Sequence, residues 1–169
     1  MLRAILNAAF RPSPLPETPL YAAAQVLVDA LPNERTPLDL QKLLYICQTV
    51  HIGRHGIPLF EETFRASVMG PFSTAVRDAF RSLKRQRFQR TKLLTPSMIA
   101  VIEEVARDVG PYSSAHLVSL TQGSNSLAWA RNFPLPFENR TLYAGGRIPH
   151  EDMADQYRAW MDAVPAAAA

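Results

Sequence analysis

Apolar positions along this chain recur mostly at helical spacing. Leu20, Ala23, Ala24, Leu27, Val28 and Leu31 share one stripe, which predicts a helix from Leu20 to about Leu31. Thr18-Pro19 starts it, a hydroxyl residue at the N-cap followed by proline at the first helical position. Thr36-Pro37 repeats the device, and Asp39 adds a negative charge where a helix N-terminus favours one. The second helix runs to about Arg54 and stops near Gly56. The spacing puts Leu40, Leu43, Leu44, Cys47 and Val50 on its buried face, with Lys42, Gln48 and Thr49 away from it.

A third helix, from about Ser73 to Lys84, turns Val76, Ala79, Phe80 and Leu83 inward. Thr95-Pro96 opens a fourth, whose stripe is Ile99, Ile102, Val105, Ala106 and Val109 and whose end is Gly110-Pro111. Ser113 or Ser114 caps a short fifth helix, Ala115–Thr121. A helical turn around Leu127–Arg131 carries Trp129, and a last helix runs from about His150 to Ala163. Between the second and third helices the period is lost: Ile57–Phe60 and Thr63–Met69 read as extended chain, and Gly70-Pro71 as a closing turn. Pro12, Pro14 and Pro16 make residues 1–17 a flexible tail, and residues 165–169 read as a disordered Ala tail. A loop rich in Pro and Gly, 133–149, holds Phe133, Phe137 and Tyr143. With no internal repeat, the expectation is a mainly α protein. It is one compact helical domain over 18–164, of about six or seven helices, with a short extended segment between helices 2 and 3.

Composition supports a packed core: 47% of the 169 residues are hydrophobic and 20% charged. No stretch approaches the roughly 20 apolar residues of a membrane span. Met1–Phe10 is too short for a secretory leader with its flanks, so the expected setting is cytoplasmic, without a membrane partner. The single cysteine, Cys47, excludes an internal disulfide and reads as a small core residue.

The net charge of +3 divides unevenly. Seven of the 18 basic residues (Arg77, Arg81, Lys84, Arg85, Arg87, Arg90 and Lys92) fall within one segment, against a single acid, Asp78. The rest of the chain holds 11 basic and 14 acidic residues, a mildly acidic body. Such a block reads either as a docking face for something acidic or as a solvated helix face. Its arginines favour planar, bidentate contacts. A nucleic-acid-binding regulator using residues 77–92 is the alternative function. Against it, the block carries only Phe88 for base stacking and lacks a recognisable recognition helix.

Candidate catalytic chemistry is sparse. His51 and His55 are spaced i, i+4, but the zincin pattern needs Glu after the first His, where Ile52 stands. No nucleophile elbow, Walker loop or dinucleotide fingerprint occurs. The pairs Glu61-Glu62, Glu103-Glu104 and Glu151-Asp152 are sequence neighbours, which do not face each other on a helix. The expectation is a protein without catalytic residues, metal or cofactor.

One stretch is more specific. Leu40-Gln41-Lys42-Leu43-Leu44-Tyr45-Ile46-Cys47-Gln48, then His51, Gly56, Pro58-Leu59-Phe60 and Gly70-Pro71, resemble the Panacea antitoxin domain of SocA-like and phage-associated GepA-like proteins. Gly110-Pro111-Tyr112-Ser113, Leu117, Leu120-Thr121 and Trp129 are similar to that family's second stretch, and Ile148 to Trp160 to its closing helix. Val50 and Met69 stand where the family commonly has aromatics.

The resemblance implies a non-enzymatic antitoxin that neutralises a cognate toxin by direct contact. It also implies, for some members, an adaptor that hands the toxin to an ATP-dependent protease of the ClpXP type. The motif residues are Gln41, Lys42, Leu43, Tyr45, His51, Gly70, Pro71 and Trp129. By spacing, the apolar ones are core, while Gln41, Lys42 and His51 either tie the core together or face a partner. The partner surface expected here combines Arg77, Arg81 and Arg85 with the aromatic loop at Phe137 and Tyr143.

Overall fold

The computed structural model describes residues 14–31, 35–83, 85–123, 126–133 and 145–164. Its helices, among these residues, are α1 (Pro19–Ala30), α2 (Pro37–His55), α3 (Thr74–Leu83), α4 (Arg90–Leu93), α5 (Pro96–Asp108), α6 (Ser114–Thr121), α7 (Leu127–Asn132) and α8 (His150–Ala163). The protein is mainly α, as the hydrophobic period predicts. The helix beyond the expected seven is the single turn α4, too short to show a period.

Local chemistry explains the strongest start signal. Thr36 and Asp39 form a reciprocal capping box: Thr36 Oγ1 accepts from Asp39 N at 3.2 Å, and Asp39 Oδ2 accepts from Thr36 N at 3.1 Å. Gly56, in the left-handed region at φ 71°, ends α2. Thr95 and Ser113 cap α5 and α6 by accepting from Met98 N and His116 N. Thr18 departs from the pattern: it holds the N-cap position of α1, but its hydroxyl is buried and makes no capping bond. Leu15, inside the segment read as a tail, exchanges two backbone hydrogen bonds of 2.8 Å with the Gln86 carboxamide.

α2 is the axis of the domain. It packs on α8, α5, α6, α3 and α1 and on the small sheet. Because neighbours surround it, it has no solvated stripe along most of its length. Lys42, Gln48 and Thr49, expected to point away from the core, are buried together with Leu40, Leu43, Leu44, Tyr45 and Cys47. A central helix overrides the one-sided pattern that a surface helix shows. Gly53 permits its closest crossing, since a Cβ there would lie 2.1 Å from Cγ of Tyr157 on α8.

The extended segment forms a hairpin. β1 (Arg65–Ser67) pairs antiparallel with β2 (Gly70–Phe72), in the register Arg65 with Phe72 and Ser67 with Gly70. Gly70-Pro71 therefore opens the second strand rather than making the turn, which falls at Val68-Met69. Gly70 takes φ 95°, a conformation closed to most side chains. Residues 57–60, read as extended, are not part of the sheet.

Part of the expected Gly-rich loop adds a third rung on the far edge of β1. Ala66 N donates to Gly146 O at 2.9 Å, Ile148 N donates to Phe64 O at 2.8 Å, and Arg147 bridges Arg65. Gly145 is needed there, because a Cβ would sit 1.3 Å from the Ala66 carbonyl oxygen. No helix of the described residues is long and apolar enough to cross a membrane.

Candidate functional site

The motif residues converge on one task. A glutamine carboxamide carries the same donor and acceptor as a peptide group, so it can pair with chain that has no ladder partner. Gln41 Oε1 accepts from Ser73 N at 2.9 Å while its Nε2 donates to Ser73 O at 2.7 Å. One heptad on, Gln48 Oε1 accepts from Leu59 N at 2.7 Å and Phe60 N at 3.2 Å, and its Nε2 donates to Phe60 O at 2.8 Å. Lys42 Nζ donates to Met69 O at 3.0 Å. From the other side, Gln122 Nε2 donates to Val68 O at 2.9 Å and Trp129 Nε1 to Ser67 O at 2.8 Å. Residues 57–73 are thus held by side chains from α2, α7 and the end of α6. This satisfies backbone groups that burial would otherwise leave unpaired.

His51 belongs to the same set. Its ring is buried, with Nδ1 2.9 Å from the Ile57 carbonyl and Nε2 3.5 Å from Ser97 Oγ. A carbonyl can only accept, so Nδ1 carries the proton and Nε2 faces the hydroxyl as acceptor. Burial first, and then His55 nearby, push its pKa below the ordinary value, against the opposing pull of the Ile57 carbonyl. Lys42 is pushed down by burial, partly offset by Asp39. Burial raises the Tyr45 phenol and the Cys47 thiol, both enclosed in α2. The Tyr45 ring meets Phe64 edge-on at 5.5 Å, tying α2 to the chain that leads into β1. Leu43 is fully buried and Pro71 is buried in β2. Gln41, Lys42 and His51 therefore tie the core together rather than face outward.

The structure divides the basic block. Arg87 Nη1 and Arg90 Nη2 both bind Asp29 on α1, at 3.0 and 2.8 Å. Phe88 is buried and stacks on Tyr21, with ring centroids 6.3 Å apart, so it is not offered to a base. Gln25 fixes this turn by accepting from Phe88 N at 2.9 Å and donating to Gln86 O.

Arg77, Arg81 and Arg85 remain exposed along one side of α3 and its end. Arg77 binds Asp78 at 2.7 Å and lies over the Phe72 ring at 5.8 Å. The expected companions of these arginines, Phe137 and Tyr143, lie outside the described residues, as does the Ala tail at 165–169.

Other titratable groups serve packing. Arg54 forms a two-pronged pair with Glu104, at 2.6 and 2.7 Å, joining α2 to α5. Arg131 binds Asp152 and Asp155 at 2.9 and 2.6 Å, joining α7 to α8. A groove of about 400 Å³ between α1, α4 and α5 is lined by Val26, Asp29, Ala30, Arg90, Glu103, Ala106 and Arg107. Its charges are already paired in part, Asp29 with Arg90 and Arg107 with Asp108. Among the described residues no group of three His, Cys, Asp or Glu could hold a metal ion.

The glutamine clamps were not legible as such, although Gln41 and Gln48 were visible among the polar residues of α2. A heptad-spaced pair of glutamines beside a non-periodic segment is the signal that could have found them.

A helix whose buried polar side chains hold the irregular segment beside it defines a small α-helical domain. A family model for the SocA-like antitoxin, Panacea domain, matches residues 40–130, and the chain belongs to that family. The matched span starts at the first residue of the Leu40–Gln48 motif and runs one residue past Trp129. Comparison with curated proteins and with solved structures gave no match.

Proposed function

We infer that this protein neutralises a cognate toxin by direct, non-catalytic contact, and that the toxin binds the exposed face of α3. Membership of the antitoxin-like Panacea family supports the first part. The carrying observation for the second is the division of labour among polar residues. Gln41, Lys42, Gln48 and His51 are used up inside the domain, whereas Arg77, Arg81 and Arg85 stand exposed at i, i+4 and i+8. Arg77 and Arg81 lie about 6 Å apart along α3, with Arg85 just past its end, and such a cluster matches carboxylates on a partner surface. Handover of the toxin to a ClpXP-type protease is a further step that this reading accommodates and does not require.

The test is co-expression with the product of the adjacent gene. That product should arrest growth alone and be harmless with this protein, and the two should co-purify. Arg81→Glu/Arg85→Glu should keep the fold and lose neutralisation. A neighbour that is harmless alone would remove the antitoxin reading. Full neutralisation by the double variant would remove the α3 assignment. A nucleic-acid role would instead show duplex binding that falls steeply with salt, by a log–log slope near −0.9 per phosphate contacted.

A further inference from the structure

The rung that residues 145–148 add to β1 sets two arginines side by side. Ala66 N donates to Gly146 O and Ile148 N to Phe64 O, so the pair between them, Arg65 and Arg147, exchanges no backbone hydrogen bond. This is the kind of antiparallel pair in which side chains come closest, with Cα atoms about 4.5 Å apart. Directly opposed residues point to the same face of a sheet, and both arginines are exposed there. Phe72 continues the row on β2, and the guanidinium of Arg77 lies over its ring at 5.8 Å.

Like charges directly opposite each other on neighbouring strands are destabilising. Arg77, the next cation along the row, is engaged with Asp78 at 2.7 Å. Arg65 and Arg147 have no such relief: among the described residues neither guanidinium has an ion-pair or hydrogen-bond partner. Local rules are broken chiefly at functional sites, where something other than the fold supplies the compensation. The compensation that fits here is an anion held between the two side chains. Beside Arg147 lies a hollow of about 320 Å³, lined also by Pro149, His150 and Glu151. Its size is at the lower end of small-molecule sites.

We propose that Arg65 and Arg147 clamp a dianionic phosphoryl group, free or carried by a small molecule whose remainder enters the hollow. The charge count selects this ligand. Two guanidiniums bring two positive charges and two planar forks. A carboxylate or a nucleic-acid phosphodiester brings one negative charge and leaves the pair half compensated. A phosphoryl group that is free or esterified once carries close to two charges near neutral pH, with three oxygens to share between both forks. Glu151 repels the phosphoryl group from the hollow, so a phosphorylated molecule lies with its uncharged part toward Pro149 and His150. The site is distinct from the α3 face and does not depend on a toxin binding there.

Titration of the full chain with inorganic phosphate tests this, followed by amide NMR at about pH 8, where phosphate is a dianion, with chloride holding the ionic strength constant. The Arg65, Ala66 and Arg147 amides should shift and saturate, with a dissociation constant on the order of a millimolar. Arg65→Gln and Arg147→Gln should each weaken binding about tenfold, and Arg107→Gln, at an exposed arginine of α5, should not. Urea unfolding gives a second readout. At low salt without phosphate, Arg147→Gln should be more stable than the wild type, because the like-charge contact is relieved; in saturating phosphate the order should reverse. Glycerol phosphate that binds more tightly than inorganic phosphate and also shifts His150 and Glu151 identifies the ligand as a phosphate monoester, and equal binding without those shifts identifies free phosphate. The proposal is overturned if phosphate does not bind, if binding survives Arg65→Gln, if Arg107→Gln weakens it as much, if acetate binds as tightly, or if the order of stability does not reverse. Duplex DNA that shifts the same amides at lower phosphate concentration would give the pair to nucleic acid and overturn it as well.

Discussion

Gln41 and Ser73 are joined as two rungs of a ladder are, the carboxamide of one accepting from the amide of the other and donating to its carbonyl, at 2.9 and 2.7 Å. Ser73 is the residue before α3, so this pair fixes where the arginine-bearing helix begins relative to α2. Gln41→Leu keeps the volume but leaves the buried Ser73 N–H unpaired, while Ser73 O keeps its bond from Arg77 N at 3.2 Å. It should cost about 1–3 kcal/mol in urea unfolding. A loss under about 0.5 kcal/mol would mean that the backbone finds other partners.

Gln48 does for Phe60 what Gln41 does for Ser73, and it is fully buried. Gln48→Glu retains the acceptor for Leu59 and Phe60 but places a carboxyl opposite the Phe60 carbonyl. Relative to the wild type, the variant should lose more stability at pH 8, where the buried group must ionise or hold its proton against solvent, than at pH 5. Denaturation at the two pH values checks this, and an equal loss at both would contradict it.

Gly53 and Tyr157 set the distance between α2 and α8. Gly53→Ala would place its Cβ 2.1 Å from Cγ of the Tyr157 ring. The substitution should destabilise by about 1–3 kcal/mol, although alanine is the better helix former. Tyr157→Ala should be milder in the Gly53→Ala background than alone. A thermal-denaturation cycle of the four proteins measures that coupling.

His51 links stability to pH. Its pKa is lowered in the folded protein by burial, so the unfolded chain binds the proton more readily. The stabilising contribution of the neutral ring is fully present above the unfolded value of about 6.5 and is lost as pH falls from there through the lowered folded value. Unfolding free energies at pH 7.5 and 5.5 should differ more in the wild type than in His51→Gln. Glu62, whose carboxyl burial raises, is common to both proteins and cancels in the comparison. An identical pH dependence would show that His51 does not couple to folding.

Trp129 reaches across to the hairpin, its Nε1 donating to Ser67 O at 2.8 Å while its ring stacks on Phe133 at 4.5 Å. Trp129→Phe keeps a ring against Phe133 and removes the donor to a residue that is itself buried. A loss of about 1 kcal/mol is expected, with faster amide exchange in β1 and β2. Unchanged exchange there would mean that Trp129 only fills space.

Most of the architecture was readable from the chain. Three Thr-Pro starts, Gly56 and Gly110-Pro111 as stops, and apolar residues at 3–4 spacing place the main helices within a few residues. These are local signals, made by side chains acting on their own backbone within a turn or so. The motif Leu40–Gln48 likewise points to the family, and its apolar members are core, as their spacing indicates. The inward role of Gln41, Lys42, Gln48 and His51 was not readable. It depends on segments 6 to 32 residues away in sequence, whose unpaired peptide groups exist only once the chain has folded back on itself.

The charge block shows the same division. Sequence alone determined that seven cations fall between residues 77 and 92 and that the body around them is acidic. Only the tertiary structure decided which of them pair with distant acids of the same domain. Asp29, some 60 residues earlier, pairs with Arg87 and Arg90 at the surface, while Arg81 and Arg85 are exposed on α3 and just past its end. The reason is physical: composition and period are properties of neighbours along the chain, whereas the pairing of a charge or a peptide group is decided by whatever packing brings within about 3 Å of it.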